Sequence, residues 1–172
     1  MPATPRPSRP AFTPGYGLQS KAHDVTTFPW DEAERRLEGS RNYWIVSARA
    51  DARPHAMPVW GLWFDSTLFF STDAESVKGR NLRSRPEVVA HLESGDDVVI
   101  LEGTAELVRD RALLARFADL YDEKYSFRVD VDDPAFTVFA VRPRGALTWL
   151  ERDFVGTATR WRLDGDGAQG SG

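Results

Sequence analysis

Hydroxyl and cationic side chains are concentrated between residues 71 and 80, where a predicted strand ends and a predicted helix begins. Ser71, Thr72 and Ser76 carry hydroxyl groups, and Lys78 and Arg80 follow with positive charges. Hydroxyls, an ammonium group and the free amides of a helix start all bind anions, so this combination is typical of a phosphate site. An ordinary helix cap with a solvated basic face gives the same pattern. Both interpretations remain open at this point.

The stretch from His55 to Phe64 is apolar on both faces of a predicted strand. Pro58 cannot donate a ladder hydrogen bond, so this strand is an edge strand, is bulged, or faces something other than a neighbouring strand. A planar ligand or a partner subunit would fit, and a bulged core strand is the alternative. Trp60 and Trp63 are expected to be exposed, which favours a homodimer, because large apolar patches usually meet a partner.

The sequence contains no other convincing metal-binding, nucleotide-binding or catalytic motif. The chain has no cysteine, and His23, His55 and His91 are isolated from one another, so no metal site is predicted. The pattern Gly165-x-Gly167-x-x-Gly170 matches a dinucleotide fingerprint, but neither a strand before it nor a helix after it is predicted. Hydrolase, nucleotide-hydrolysing and zinc-protease motifs are absent from the sequence, and no catalytic residue is assigned. This absence favours a bound cofactor that brings its own reactive atoms.

The composition indicates one globular domain. The 172 residues are 41% hydrophobic and 12% aromatic, which is enough for a packed core. The net charge of -4 comes from well-mixed charges, so no nucleic-acid partner is expected. The longest apolar stretch, residues 56–64, is shorter than the roughly 20 residues that a membrane helix needs. Without a secretory pattern or cysteines, the protein is expected to be cytoplasmic.

Hydrophobic periodicity predicts short strands interrupted by single helices. Residues 1–26 are rich in proline and are expected to form a flexible or loosely docked arm, and residues 164–172 a disordered glycine-rich tail. Between them, residues 27–163 form the folded domain. Helices are predicted at 29–39, 77–85 and 110–125, and strands at 43–50, 55–64, 67–72, 88–94, 98–108, 136–142, 146–150 and 159–163. Because the connections are short and no βαβ rhythm occurs, the fold class is mainly β with peripheral helices, a small antiparallel barrel.

Several segments, taken together and in order, resemble the pyridoxamine-phosphate-oxidase-like split β-barrels, and in particular their deazaflavin-dependent branch. The resemblance runs from about Pro29 to Arg162. Its strongest segments are 43–47 (YWIVS), 54–60 (PHAMPVW), 70–72 (FST), 76–82 (SVKGRNL), 98–103 (VVILEG) and 156–161 (GTATRW). It implies a six- to seven-stranded antiparallel split barrel of the FMN-binding type that works as a homodimer with the cofactor at the subunit interface.

The resemblance also assigns residues to the flat ring of the cofactor. It implies that Pro58, Val59 and Trp60 line the isoalloxazine or deazaflavin ring with backbone groups. Arg160 and Trp161 match a C-terminal segment that, in such dimers, looks across the interface toward the partner's cofactor.

The resemblance assigns the phosphate of the cofactor to hydroxyl and cationic residues between positions 71 and 80. By resemblance, Ser71, Thr72, Ser76 and Lys78 hold the phosphate of the cofactor, and Asn81 supports the helix start. The implied activity is hydride transfer between the reduced deazaflavin F420 and an unsaturated small-molecule substrate.

One departure from the family bears on the choice of cofactor. The oxidases that gave the family its name usually carry a cation directly before the residue that matches Lys78, where this chain has Val77, and a basic strand where residues 55–60 are mostly apolar. F420 is therefore the preferred cofactor and FMN the alternative. The alternative functions are an FMN-binding oxidoreductase of the same family, or a non-catalytic barrel that binds a cofactor or haem, for which His55 and His91 are the available ligands.

Overall fold

A computed structural model describes residues 4–10 and 28–163. The strands in these residues are β1 (Arg6–Ser8), β2 (Asn42–Ala48), β3 (Pro54–Phe64), β4 (Thr67–Asp73), β5 (Glu87–His91), β6 (Asp97–Leu107), β7 (Phe136–Leu150) and β8 (Thr159–Arg162). The helices are α1 (Trp30–Gly39), α2 (Val77–Ser84), α3 (Arg111–Tyr125) and α4 (Phe154–Thr157), the last preceded by a 3-10 turn (Glu151–Asp153). None of the helices in these residues is long and apolar enough to span a membrane.

Six strands close into an antiparallel barrel. Their order is β7-β4-β3-β2-β5-β6, and β6 also pairs with β7, which completes the ring. Strand β8 pairs with the second half of β7, and β1 extends this edge by pairing with β8. The architecture confirms the predicted mainly-β split barrel.

Strand β7 differs from the sequence prediction, which divided it into strands at 136–142 and 146–150. Pro143 and Gly145 suggest a turn, but β7 continues through them because β6 pairs with it from Phe139 to Leu150, with one register shift at Glu102/Gly103. A Cβ atom at Gly103 would lie 2.2 Å from the carbonyl oxygen of Arg142, so only glycine allows the strands to approach here.

The ends of the chain are described in part. Arg6–Ser8, within the predicted arm, forms β1, and the Ser8 hydroxyl donates a hydrogen bond to the carbonyl of Arg160 at 3.2 Å. Residues 1–3 and 11–26 of the predicted arm, and the predicted tail, residues 164–172, lie outside the described residues.

Alternating residues of the strands build two apolar clusters. One fills the barrel interior and includes Tyr43, Ile45, Phe70 and Leu101. The other lies between the outer face of β3, β4 and β7 and helix α3, where Phe117 is fully buried. Burying one such aromatic side chain stabilises the fold by roughly 1.5–3 kcal/mol.

The expected exposure of Trp63 was wrong. This side chain is 6% exposed and belongs to the interior cluster. Trp63 shares the inward face of β3 with Val59, because residues separated by an even number of positions point to the same side of a strand.

Candidate functional site

Strands β3 and β4 separate part-way along their length. They pair only from Gly61 to Phe64 on β3 and from Thr67 to Phe70 on β4. Beyond this point β3 keeps β2 as its described neighbour, while β4 continues alongside β7 to Asp73. The two strands thus form the arms of an open split. Pro58 and Val59 lie on one arm and Ser71 and Thr72 on the other.

Helix α2 begins at the β4 arm of this split. Its N-cap residue Ser76 accepts a hydrogen bond from the Gly79 amide at 3.0 Å, and the Thr72 and Ser76 hydroxyls lie 3.1 Å apart. A Cβ atom at Gly79 would come within 2.6 Å of the Asp73 carbonyl oxygen, so the glycine lets the first turn of α2 lie directly against the end of β4. The predicted cap is confirmed, and Thr72 and Ser76 are brought together.

Lys78 is buried in the first turn of α2. The side chain is 9% exposed, and its Nζ atom lies 5.8 Å from the centre of the Phe70 ring. Within residues 4–10 and 28–163 no hydrogen bond or ion pair is found for this ammonium group, and burial lowers the pKa of Lys78. A buried cation without a counter-ion is unfavourable. The residues at the start of α2 therefore fit an anionic group such as a phosphate, and we call Thr72, Ser76 and Lys78 the cradle.

Asn81 fastens α2 to the barrel. Its side-chain amide donates to the Ser47 hydroxyl on β2 at 3.1 Å, and both residues are buried. Since Asn81 lies three residues after Lys78, both side chains face the barrel. Asn81 thus fixes the helix that carries the cradle lysine, in line with the supporting position expected for it.

Ser71 does not join the cradle hydroxyls. Successive strand residues point to opposite faces, so Ser71 shares the outward face of β4 with Phe69, while Thr72 shares the inward face with Phe70. The Ser71 Oγ atom is shielded from solvent and has no hydrogen-bond partner among the described residues.

The two strand residues that follow Pro58 also face opposite ways. Val59 is 9% exposed and belongs to the interior cluster. Trp60 points outward and stacks on Tyr125, with ring centres 4.8 Å apart and nearly parallel planes, and Arg41 lies 5.1 Å from the centre of the Trp60 ring. Val59 therefore points into the barrel and Trp60 away from it.

Arg160 and Trp161 lie on β8, away from the cradle. Trp161 is buried in its own barrel, where its indole donates to the Thr148 hydroxyl at 2.9 Å. Arg160 is exposed and lies 3.7 Å from the Glu102 carboxylate. In the strand order β8-β7-β4-β3, strands β7 and β4 lie between Arg160 and Pro58.

The described chain also contains a cavity that the sequence did not indicate. It has a volume of about 410 Å³ and lies between α3 and residues 128–132, with Ala118, Val129 and Val131 among its lining residues. The cavity does not include the cradle. The candidate site is defined instead by the separation of β3 from β4 and by the cradle beside it.

Comparison with protein families decides the relationship. The family model described as pyridoxamine 5'-phosphate oxidase matches residues 29–150, which include the barrel strands β2 to β7, both arms of the split and the cradle. The chain belongs to this family. The match confirms the resemblance to the family that was inferred from the sequence segments within these residues. No sequence among the curated proteins matches the chain.

Solved structures share the fold of the pyridoxamine 5'-phosphate oxidase family. A conserved hypothetical protein from Mycobacterium tuberculosis is 23% identical, with a TM-score of 0.66 over 89% of this chain and 99% of that chain. A putative pyridoxamine 5'-phosphate oxidase from Listeria innocua is 23% identical, with a TM-score of 0.59 over 69% and 95%. A protein named F420 reductase is 22% identical, with a TM-score of 0.55 over 66% and 94%. At these identities the likeness establishes the fold.

Proposed function

We propose that this member of the pyridoxamine 5'-phosphate oxidase family is an oxidoreductase that binds a phosphate-bearing flavin-type cofactor, with F420 preferred and FMN as the alternative. The observation that carries the proposal is Lys78, a buried cation without a counter-ion beside two hydroxyls at the start of a helix. A phosphate would supply the missing negative charge, and its oxygens would accept hydrogen bonds from the hydroxyls and the ammonium group.

The residues of the split have separate tasks in this proposal. Thr72, Ser76 and Lys78 hold the phosphate, and the backbone around Pro58 and Val59 supports the flat ring. When bound, the cofactor supplies a ring atom that donates or accepts hydride. The protein orients this ring against an unsaturated substrate and excludes water from the reacting atoms. No side chain is assigned as general acid.

Two features favour F420 over FMN. Val77 stands where the oxidases of the family carry a second cation, and residues 55–60 are mostly apolar. Fewer cations suit a phosphodiester with one negative charge better than a phosphate monoester with two. One of the structural neighbours also bears the name F420 reductase.

Purified protein titrated separately with F420, FMN and haem tests the assignment. We expect saturable quenching or a spectral shift of F420 fluorescence, and weaker effects on FMN. Stronger binding of FMN would make FMN the cofactor. A Soret band on adding haem, with no response to either of the others, would favour the non-catalytic haem-binding alternative. If neither F420 nor FMN shows a change in fluorescence, the proposed function is contradicted.

The proposal includes a homodimer, supported by the outward face of the barrel. One cross-strand row on this face runs through Pro58, Trp44, His91, Ile100 and Leu147. The last four are half-buried, and the Trp44 and His91 rings are parallel with centres 6.1 Å apart. Apolar side chains in a continuous row across five strands are typical of a surface that meets a partner. The row continues to Arg160, so a second copy on this face would bring its own Arg160 toward the split.

Light scattering tests the dimer. We expect twice the chain mass at micromolar concentration for the wild type, and the single-chain mass for Ile100→Glu, because the dimer would bury an unpaired carboxylate. Ala115→Glu adds the same charge on the exposed side of α3 and is expected to leave the mass unchanged. A monomeric wild type would exclude the dimer.

A further inference from the structure

His55 lies beside the cradle, although neither its position in the sequence nor the family resemblance assigns it a role there. On β3 it pairs with Ser47 of β2, so the two side chains share the inward face of the barrel. Ser47 accepts the hydrogen bond from Asn81, on the same face of α2 as Lys78. His55 and Lys78 therefore approach the same space from opposite sides, His55 from the β3 arm of the split and Lys78 from the helix at the β4 arm.

The imidazole of His55 has an unused hydrogen-bonding atom. Its Nδ1 atom is shielded from solvent, and no partner is found for it among the described residues. Buried polar atoms in folded proteins nearly always have a partner. His91 provides a contrast on the outward face, because its Nδ1 atom lies 2.8 Å from the Leu92 carbonyl oxygen.

The charges around His55 disfavour its protonated form in the free protein. Burial lowers the pKa of His55, and the positive charges of Arg49, at the end of β2, and of Lys78, on α2, lower it further. In the β2–β3 turn the Asp51 carboxylate is held by Arg53 at 2.7 Å. The surroundings of His55 are thus cationic, and an anion placed between His55 and Lys78 would reverse their effect.

We propose that His55 is a further anion-binding residue of this site, and that it takes up a proton when a phosphate group binds between it and Lys78. The inference rests on the proposed function for the identity of the anion, and it adds a proton to the binding reaction. His55 then donates a charge-assisted hydrogen bond to a phosphate oxygen. A cradle with one buried cation, Lys78, would in this way gain a second cation only when the ligand is present.

The consequence is binding that depends on pH. Because the phosphate raises the pKa of His55 above its value in the free protein, the gain in affinity is full at low pH and is lost as the pH rises through the pKa of the complex. One proton taken up corresponds to at most about a tenfold change in affinity per pH unit. A phosphate monoester such as that of FMN has an ionisation of its own near pH 6, so the pH dependence of the wild type is compared with that of a variant.

NMR titration of the histidine rings tests the proposal directly. The ring signals of the wild type are followed against pH in inorganic phosphate and in chloride at matched ionic strength, and His55→Gln assigns the His55 signal. We expect phosphate to raise the pKa of His55 and to leave the ring signals of His91 where they lie in chloride. An unchanged pKa of His55 would overturn the inference, as would an equal response of the His91 signals, which would indicate a general ionic effect.

Cofactor binding gives a second, independent test. The affinity of the wild type for FMN and F420, divided by that of His55→Gln, is expected to fall severalfold between pH 6 and pH 8. A constant ratio for a cofactor that binds would overturn the role of His55 and leave the proposed function intact. Conversely, a His55 that responds to phosphate in a protein that binds neither cofactor would contradict the proposed function alone.

Discussion

Replacing Lys78 with methionine is expected to weaken cofactor binding by about 100-fold, or about 3 kcal/mol, without weakening the fold. The methionine keeps most of the apolar volume of the lysine and removes the charge that would meet the phosphate. Because Lys78 is buried without a counter-ion in the free protein, removing its charge also removes an unfavourable burial. We therefore expect the melting temperature of the variant to be equal to or higher than that of the wild type.

The combination of lost binding and retained stability separates a functional lysine from a structural one. Binding is measured by fluorescence titration with F420 and FMN, and melting by circular dichroism. Arg80→Met is the matched control, because Arg80 is an exposed cation in the same turn of α2, and it is expected to change affinity less than threefold. Equal losses in the two variants would reduce the role of Lys78 to general electrostatics. A lower melting temperature for Lys78→Met with intact binding would contradict the cradle.

Local sequence signals predicted the elements around the cradle well. Ser76 as a cap and Pro86 as a stop predicted a helix over residues 77–85, and α2 lies at Val77–Ser84 with Ser76 as its N-cap. Asp110 likewise caps α3, accepting from the Leu113 amide at 2.8 Å. These signals were sufficient because a cap is satisfied by residues only a few positions apart.

Properties that depend on distant parts of the chain were not predictable in the same way. Ser71 and Thr72 were assigned to one phosphate site by resemblance, but strand alternation points them to opposite faces of β4. Trp63 was expected at the surface, and its burial depends on which face of β3 the barrel encloses. Strand β7 passes through a turn-like sequence because β6 pairs with it from Phe139 to Leu150. In each case the outcome depends on how distant strands pair in the barrel, and the local sequence does not predict that pairing.

The base of the split depends on such a long-range contact, at Gly61. Strand β2 pairs with β3 only as far as Trp60. The backbone of the next residue, Gly61, forms hydrogen bonds with side chains of α3 instead. The Gly61 amide donates to the Tyr125 hydroxyl at 2.9 Å, and the Gly61 carbonyl accepts from Lys124 Nζ at 3.2 Å. Lys124 also donates to the Glu38 carbonyl at 3.1 Å. Helix α3 thereby fixes the peptide at which β3 leaves β4.

Removing the Tyr125 hydroxyl should therefore destabilise the protein more than its small size suggests. We expect Tyr125→Phe to lower the free energy of unfolding by about 2 kcal/mol, because it leaves the buried Gly61 amide without an acceptor, while the phenyl ring can keep its stacking on Trp60. Urea denaturation followed by circular dichroism measures the change. The urea concentration at the midpoint is expected to fall. The slope of the transition is expected to stay constant, because the substitution does not change the surface area that unfolding exposes.

Tyr121, one helical turn earlier, distinguishes the hydrogen bond from the ring. Its ring packs against Tyr125 and Phe117, and in the described part of the chain no hydrogen bond is found for its hydroxyl. Tyr121→Phe is therefore expected to change the free energy of unfolding by less than about 0.5 kcal/mol. Equal effects of the two substitutions would mean that α3 supports the split through ring packing alone. If only Tyr125→Phe lowers the free energy of unfolding, and if it also weakens cofactor binding, then the hydrogen bond between Tyr125 and the Gly61 peptide helps to fix the shape of the split.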